Sequence, residues 1–555
     1  MTTNRLRILN YCFLGLFLAL MASCNNEPNL TETTPQSNKA DWDKLGEKLE
    51  NPYSVKNMKR ALLNIKNKNI TLKSDAEEFD IEPTNLYVKF EPTTEVEEAV
   101  LKKDSSIVLF DYPLDYEFTE EALKARPELK DKEVPTYYTA IKIDSEIASD
   151  AQYEVLEELY IPEEDPYFGS NLSKNQKISE KKEILLDKLL DEAYKLTGND
   201  RGNSKIKENT TAKWIFGKKW WPSGKITVYD EVAGMNKPVV GAQVLIRQWF
   251  TIRQAITDEN GDFNTSSIRG SARYVLQWER YNYSIRNGSF FQAETKSHTE
   301  QKDEPWNLNI TGGDDKYHAI IHQAAHDYYY GHRFGLISPP MNNQLYNFGR
   351  QGQIKIAARE TAPWGVPSSY SHIRSDLSFG LSAQIHIKAW GRTSDEVYGT
   401  TIHELTHAQH SVLDRNSYDN IARDAFIDNH SSVQNRNRRL LETWPTTVEI
   451  LMTLDRYKTK FGNYNYSYRG NNLQHQTINY DNHYTTGGYD MIDNFNQRTY
   501  STAYPIDRVN GYTLKQLQDA LVGAKSWSQW RDNIKNKYDN PTEIYLDELF
   551  NNWQD

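Results

Sequence analysis

The sequence predicts a multidomain α+β protein, and three observations lead there. The chain has 555 residues, and single hydrophobic cores stop growing at roughly 250–300 residues. Two stretches, 80–165 and 220–290, carry short alternating apolar runs of strand type. From residue 306 onward, apolar residues recur mostly at helical spacing. Charged residues make up 25% and hydrophobic residues 38%, the balance of a soluble globular chain rather than a membrane-embedded one. The net charge of −11 comes from acidic and basic residues mixed along the chain. That leaves no basic footprint, so no nucleic-acid partner is expected. The 35 Tyr and 13 Trp suit half-buried positions on sheets and helix faces.

At the N-terminus, Arg5 and Arg7 precede an apolar run from Tyr11 to Met21. The run is too short for a stable membrane span. A basic end, an apolar middle and small residues before a cut are the layout of a secretory signal. Met21-Ala22-Ser23-Cys24 resembles the lipobox of bacterial lipoproteins, with Met21 where that pattern usually has leucine. The resemblance implies a signal peptide over 1–23 and a lipid on Cys24. It also implies a cell-envelope protein anchored to a bacterial membrane, the outer membrane being the one expected. The alternative is ordinary secretion with Cys24 incidental. The two cysteines, Cys12 and Cys24, both fall in or at this segment. No disulfide framework is therefore expected, and any metal site must use His, Asp or Glu.

Residues 24–42 lack apolar periodicity and read as a flexible tether. Residues 43–200 read as a small α/β domain followed by a connecting helix. Leu45, Leu49, Met58, Ala61, Leu62 and Ile65 suggest short helices broken at Asn51-Pro52. Leu86, Val88 and Phe90 alternate with Tyr87 and Lys89 as in a strand. Ile107 to Phe110 is a second apolar run, and Tyr137 to Ile143 alternates again. Ile184, Leu185, Leu189, Ala193 and Leu196 have helical spacing. No chemical motif falls in this region.

Residues 214–300 are strand-rich. Lys225 to Tyr229 and Val239 to Ile246 are strand-type runs, and Asn260-Gly261 marks a hairpin turn. The Pro238, Gly241-Ala242 and Val244 run resembles the carboxypeptidase regulatory-like domains, as does the run of Thr257-Asp258, Asn260-Gly261 and Phe263. That family implies a transthyretin-like β-sandwich with a structural or positioning role. Asp258, Asn260 and Asp262 read as turn chemistry rather than a calcium loop, because the glycine and later acidic ligand of an EF-hand are absent.

Residues 306–555 read as one larger, mostly helical domain. Lys316 to Tyr330 has helical periodicity and carries His318, His322 and His326. Nothing nearby completes a ligand set, so a solvated or partly packed histidine stripe is expected there rather than a metal ladder. Ala383 to Trp390 alternates like a strand. A helix over Val397 to Leu413 follows, with Gly399-Thr400-Thr401 as its entrance. Further helical spacing runs through Ile450, Leu451 and Leu454, through Leu514 to Leu521, and through Ile544 to Phe550.

The chemistry sits at His403-Glu404-Leu405-Thr406-His407. Two histidines four residues apart lie on one helix face, about one turn apart. Each can give a ring nitrogen to one zinc ion. Glu404 points aside, where it can take a proton from a metal-bound water. Ile402, Leu405, Ala408 and Val412 supply an apolar face to bury the helix. The plainer alternative is a buried structural histidine pair.

A catalytic zinc needs a third protein ligand and an open position. The metzincin pattern places glycine and histidine where this chain has His410 and Leu413, so that class is excluded. Leu440-Leu441-Glu442-Thr443-Trp444-Pro445 resembles the gluzincin element whose glutamate is the third ligand, with Pro445 in place of the usual alanine. The resemblance implies His403, His407 and Glu442 as ligands of Zn²⁺ and Glu404 as general base. Proline is tolerated in the first turn of a helix, which would put Glu442 at a helix start. Glu449 is the alternative ligand, or a carboxylate that orients a histidine. Asp424 and Asp428 are the weakest options. His483, Tyr484 and Tyr489 are candidate donors to the transition state, with ordinary loop aromatics as the alternative for each. His410 is expected on the helix surface, and Trp444 is expected to pack.

Together these features are similar to exported lipoproteins of Bacteroidetes-type bacteria with a carboxypeptidase regulatory-like domain and a gluzincin-type zinc metallopeptidase domain. The likeness implies a zincin-like domain over 306–555 and hydrolysis of a peptide or protein substrate. The competing expectation is an envelope binding or adhesion lipoprotein with a structural or inactive zinc site. Glu404 discriminates, because a structural site has no use for it.

Overall fold

The computed structural model describes residues 48–68, 79–104, 107–116, 134–145, 147, 152–168, 180–199, 219–288, 291–342, 352–359, 369–370, 383–426, 431–462, 476–478 and 483–553. The signal over 1–23, Cys24 and the tether over 24–42 lie outside the described residues. The chain is α+β, with helices and, among the described residues, four sheets. No helix among the described residues is long and apolar enough to cross a membrane.

The first region holds α1 (Val55–Lys68), β1 (Asn85–Phe90), α2 (Glu95–Lys103), β2 (Tyr137–Lys142), β3 (Tyr153–Leu159) and α3 (Glu180–Leu196). Strand β1 lies between β2 and β3, antiparallel to both. Its alternation is used on two faces. Val88 and Phe90 pack with Leu101 of α2, while Tyr87 points to the core shared with α1 and α3. Among the described residues, the run Ile107 to Phe110 forms one bridge, Phe110 with Tyr138. Leu245, Phe250 and Val275 from the next region enter the core of α1 and α3, so the two regions share buried apolar surface.

The second region pairs two sheets. One has the order β14-β4-β5 with β8 on β4, from Trp306–Ile310, Ser223–Asp230, Met235–Pro238 and Asp262–Asn264. The other is β13-β9-β6-β7, from Glu294–Lys296, Arg273–Gln277, Gln243–Gln248 and Thr251–Ile256. Ile226, Val228, Val244, Ile246, Tyr274 and Leu276 belong to one buried core. Asn260-Gly261 is a turn but not a hairpin, since β7 pairs with β6 and β8 with β4. The Asp258 side chain organises it by accepting from the backbone N–H of Asn260 at 2.8 Å and of Asp262 at 2.9 Å. This is turn chemistry of the Asx type.

Two strand pairings cross the boundary drawn from sequence between the second and third regions. Trp306–Ile310, placed at the head of the third region, pairs in parallel with β4. Tyr283–Asn287 (β11), placed in the second, joins a mixed sheet with β10 (Glu279–Arg280), β12 (Phe291–Gln292), β15 (Ile354–Arg359), β16 (Ser369–Tyr370) and β17 (Ile385–Lys388). In it β11, β15 and β17 run parallel. Parallel partners must be distant in sequence, which is why local patterning missed them. One core runs from Trp220 to Trp553 and binds the two sheets of the second region to the helices behind them.

Those helices are α4 (Gly313–Tyr330), α5 (Ser394–Leu413), α6 (Arg415–Phe426), α7 (Ser431–Leu454), α8 (Gly487–Asp490), α9 (Leu514–Leu521), α10 (Trp527–Lys537) and α11 (Leu546–Asn551). The histidine stripe of α4 is more deeply packed than expected, since α4 packs against both the strands of the second region and α5. His318 and His322 are buried. The His322 ring nitrogens face the Val240 carbonyl oxygen at 2.9 Å and the Tyr283 hydroxyl at 3.1 Å. Burial pushes the pKa of His322 down to about 3 and that of His318 down to about 4. Both are neutral packing residues. Tyr328 and Asp327 fix α4 against α5 through Thr406 (3.2 Å) and Tyr398 (3.0 Å).

Candidate metal centre

Helix α5 begins at Ser394 rather than at Gly399. Its start is set by Thr393, whose N–H donates to Glu396 Oε2 at 2.8 Å, a reciprocal capping arrangement. Gly399 therefore lies inside the helix, where packing explains it. A Cβ there would stand 2.8 Å from Glu449 Oε1 and 3.2 Å from Thr453 Oγ1. The missing side chain lets α7 approach. Every residue from Val397 to Ser411 is buried, as in a helix enclosed on all sides.

Helix α7 crosses α5 and brings two carboxylates to the motif. Glu442 Oε2 stands 3.2 Å from His403 Nε2 and 3.4 Å from His407 Nε2. Glu449 Oε2 stands 3.0 Å from the other ring nitrogen of His403, Nδ1. The two histidine rings are 4.9 Å apart by centroid and inclined at 73°. His403, Glu404, His407, Glu442 and Glu449 are all buried.

The expected helix start at Glu442 is overturned. Pro445 lies inside α7, and Glu442 lies near the middle of that helix. A proline there removes one N–H from the helical ladder. Neighbouring hydroxyls supply added bonds, Thr446 Oγ1 donating to the Glu442 carbonyl at 2.8 Å and Thr447 Oγ1 to that of Thr443 at 2.7 Å. Burial of this helix segment against α5 outweighs the local preference against interior proline.

One oxygen facing two imidazole nitrogens has the spacing of a coordination edge. Two donors bound to one ion at about 2.0–2.1 Å in tetrahedral geometry stand roughly 3.3–3.4 Å apart. The ligand atoms of His403, His407 and Glu442 all lie within 4.8 Å of one another. The group is thus able to hold a metal ion, with two imidazoles and a carboxylate as donors.

The charges are matched accordingly. Burial opposes ionisation of Glu442, but His407 and His403 outweigh it and hold the carboxyl well below its ordinary range. Burial also opposes a charged His403, yet hydrogen bonds to Glu442 and Glu449 push its pKa up to about 10. His407 is shifted down, chiefly by burial. Its Nδ1 has no hydrogen-bond partner among the described residues.

The structure brings Tyr484 to this group, its ring centroid 5.9 Å from that of His403, with the side chain 45% exposed. His483 precedes it and is half-buried. Tyr489 belongs to α8, which packs on α7, and is half-buried. Of Asp424 only the backbone is described, and Asp428 lies outside the described residues. His410, expected at the surface, is fully buried on α5, and burial pushes its pKa down to about 3. Trp444 is buried and donates from its indole N–H to Gln409 Oε1 at 3.2 Å.

Two features had no clear signal in the sequence. One is the packing role of Gly399. The other is a second group, Asp490, Asp493 and Asp507, whose carboxylate oxygens also lie within 4.8 Å of one another. No family model, curated protein or solved structure matches this chain.

Proposed function

We propose that the chain is a zinc-dependent peptidase of the cell envelope, hydrolysing peptide bonds with a metal-activated water. The observation that carries this reading is the single Glu442 oxygen at 3.2 and 3.4 Å from two Nε2 atoms, with Glu404 next to the first histidine. The donor set of two imidazoles and one carboxylate, without sulfur, fits zinc with an open fourth position. The proposal includes a transthyretin-like sandwich over 214–300, a zincin-like domain over 306–555, and a lipid anchor at Cys24.

Zinc bound there would polarise a water and lower its pKa toward neutrality. His403, His407 and Glu442 would hold the ion. Glu449 accepts from His403 Nδ1, which orients the ring and leaves Nε2 facing Glu442. Glu404 takes the proton of the attacking water and passes it to the leaving amine. Tyr484, beside His403 and partly exposed, donates from its hydroxyl to the developing oxyanion.

The test is peptide hydrolysis across a broad library by wild type and Glu404→Gln, with bound zinc measured in both. Loss of a proton-transfer residue costs about 10²–10⁴-fold. The variant should keep its zinc and lose at least that range in kcat/KM. Zinc bound by both with no cleavage by either would replace the peptidase reading with that of a binding lipoprotein.

A further inference from the structure

Four buried residues, Thr485 to Gly488, separate the partly exposed Tyr484 from the half-buried Tyr489. They press against one face of α7, and contacts of three kinds fix them there. Thr485 Oγ1 meets Thr443 Oγ1 at 2.9 Å, and both side chains are fully buried. Gly488 sits against Thr447, one turn further along α7, so closely that a Cβ would stand 1.9 Å from Thr447 Oγ1. Gly487 is covered from the other side, where a Cβ would stand 2.9 Å from Trp553 and 3.3 Å from Trp527. Trp553 is itself held to α7, its carbonyl oxygen accepting from Arg439.

The placement of the hydroxyl contact is the informative part. Thr443 follows the ligand Glu442 directly, and Thr485 follows Tyr484 directly. The path Glu442–Thr443···Thr485–Tyr484 therefore joins a metal ligand to the aromatic beside His403 with one hydrogen bond and two peptide links. Both threonines are buried, so neither hydroxyl faces solvent. A structural pair could sit anywhere along α7, and this one sits at the residue adjoining the ligand.

We propose that Thr443 and Thr485 are positioning residues, a latch that sets the Tyr484 hydroxyl over the metal centre for the developing oxyanion. This rests on the peptidase reading of the site. Trp553 and the two glycines form the seat in which the latch closes. Misplacing a reacting group by about 1 Å can cost on the order of 10²-fold in rate, so a single hydrogen bond at this point has leverage.

The experiment is a mutant cycle on the full chain with zinc bound. Thr485→Val removes the hydroxyl at nearly constant shape, Thr485→Ser keeps it, and Tyr484→Phe removes the donor it is held to position. Thr485→Val should lower kcat about tenfold, with KM within about twofold and zinc affinity unchanged. Thr485→Ser should restore kcat. In the Tyr484→Phe background, Thr485→Val should have no further effect on kcat.

Amide hydrogen exchange is a second readout that needs no turnover. Thr485→Val should speed exchange over 483–490 and leave α5 unchanged. An equal loss of kcat in both backgrounds would overturn the proposal, as would unchanged exchange over 483–490. If wild type cleaves no peptide, the peptidase reading fails by itself, and the exchange measurement still decides whether the latch holds the loop.

Discussion

Among the described residues, two groups of three metal-ligand-type side chains are gathered, and they are chemically unlike. His403, His407 and Glu442 lie within 4.8 Å of one another, and so do Asp490, Asp493 and Asp507. In the first group the charges support each other. The histidines hold Glu442 ionised although it is buried, and Glu449 supports His403 from behind. In the second, like charges oppose each other. Burial raises Asp490, with Asp493 adding to the rise, and burial then Asp490 and Asp493 raise Asp507. Mixed donors can balance charge within a site, while crowded buried carboxylates without a cation favour their protonated forms.

The largest expected difference is in stabilisation by metal. Zinc added to metal-free protein should raise the melting temperature. Linkage gives about 4 kcal/mol at free zinc near 1,000 times Kd. His407→Ala should abolish the shift, and Asp507→Asn should leave it intact. A calorimetric scan with and without zinc reads all three. A shift that survives His407→Ala would break the contrast.

Next is the support behind the first ligand. Glu449→Gln removes the carboxylate that orients His403, and such partners are worth about 10–100-fold in metal affinity. Competition with a chelator should show a loss in that range. Gly399→Ala should act in the same direction and less strongly, because the added Cβ would press on Glu449 Oε1 from 2.8 Å. Its metal-free stability should stay within about 1 kcal/mol of wild type, since alanine favours the helix by about that much. Destabilised metal-free protein with normal zinc affinity would mean that Gly399 serves packing alone.

The smallest effect concerns the aspartates and depends on pH. Asp507 has a pKa above its unfolded value, so the native state binds the extra proton. That favours the fold fully below the unfolded value, near pH 4, and the advantage is lost as pH rises toward the raised value. Asp507→Asn does not titrate and can still accept from the Val509 N–H, now 3.1 Å from Asp507 Oδ1. The variant should match wild type near pH 4 and melt a few degrees higher at neutral pH. A difference that stays constant with pH would show that the carboxyls are not the cause.

The first group was largely legible in the sequence and the second was not. The interval from His403 to His407 is a helical repeat, and Glu404 has a chemical reason to stand between them. Glu442 is legible only through its likeness to a known element, and its helical surroundings are not. Local proline preference put it at a helix start, whereas buried packing carries α7 through Pro445. Gly399-Thr400-Thr401 reads as a helix entrance, whereas Gly399 lies inside α5 and its missing side chain admits Glu449. The regions of mixed strand and helix were visible in their periodicities. The pairing of Tyr283 with Ile354 was not, since periodicity does not encode a parallel partner that distant. Asp507 meets Asp490 across a loop, again without any repeat to announce it.

The most direct test of the mixed-donor centre is zinc stoichiometry in the purified full chain, measured for wild type, Glu442→Ala and Asp507→Ala. The account predicts one zinc per chain in wild type and in Asp507→Ala, and none held tightly in Glu442→Ala. Zinc retained in Glu442→Ala and lost in Asp507→Ala would contradict it, as would a wild-type chain that binds none.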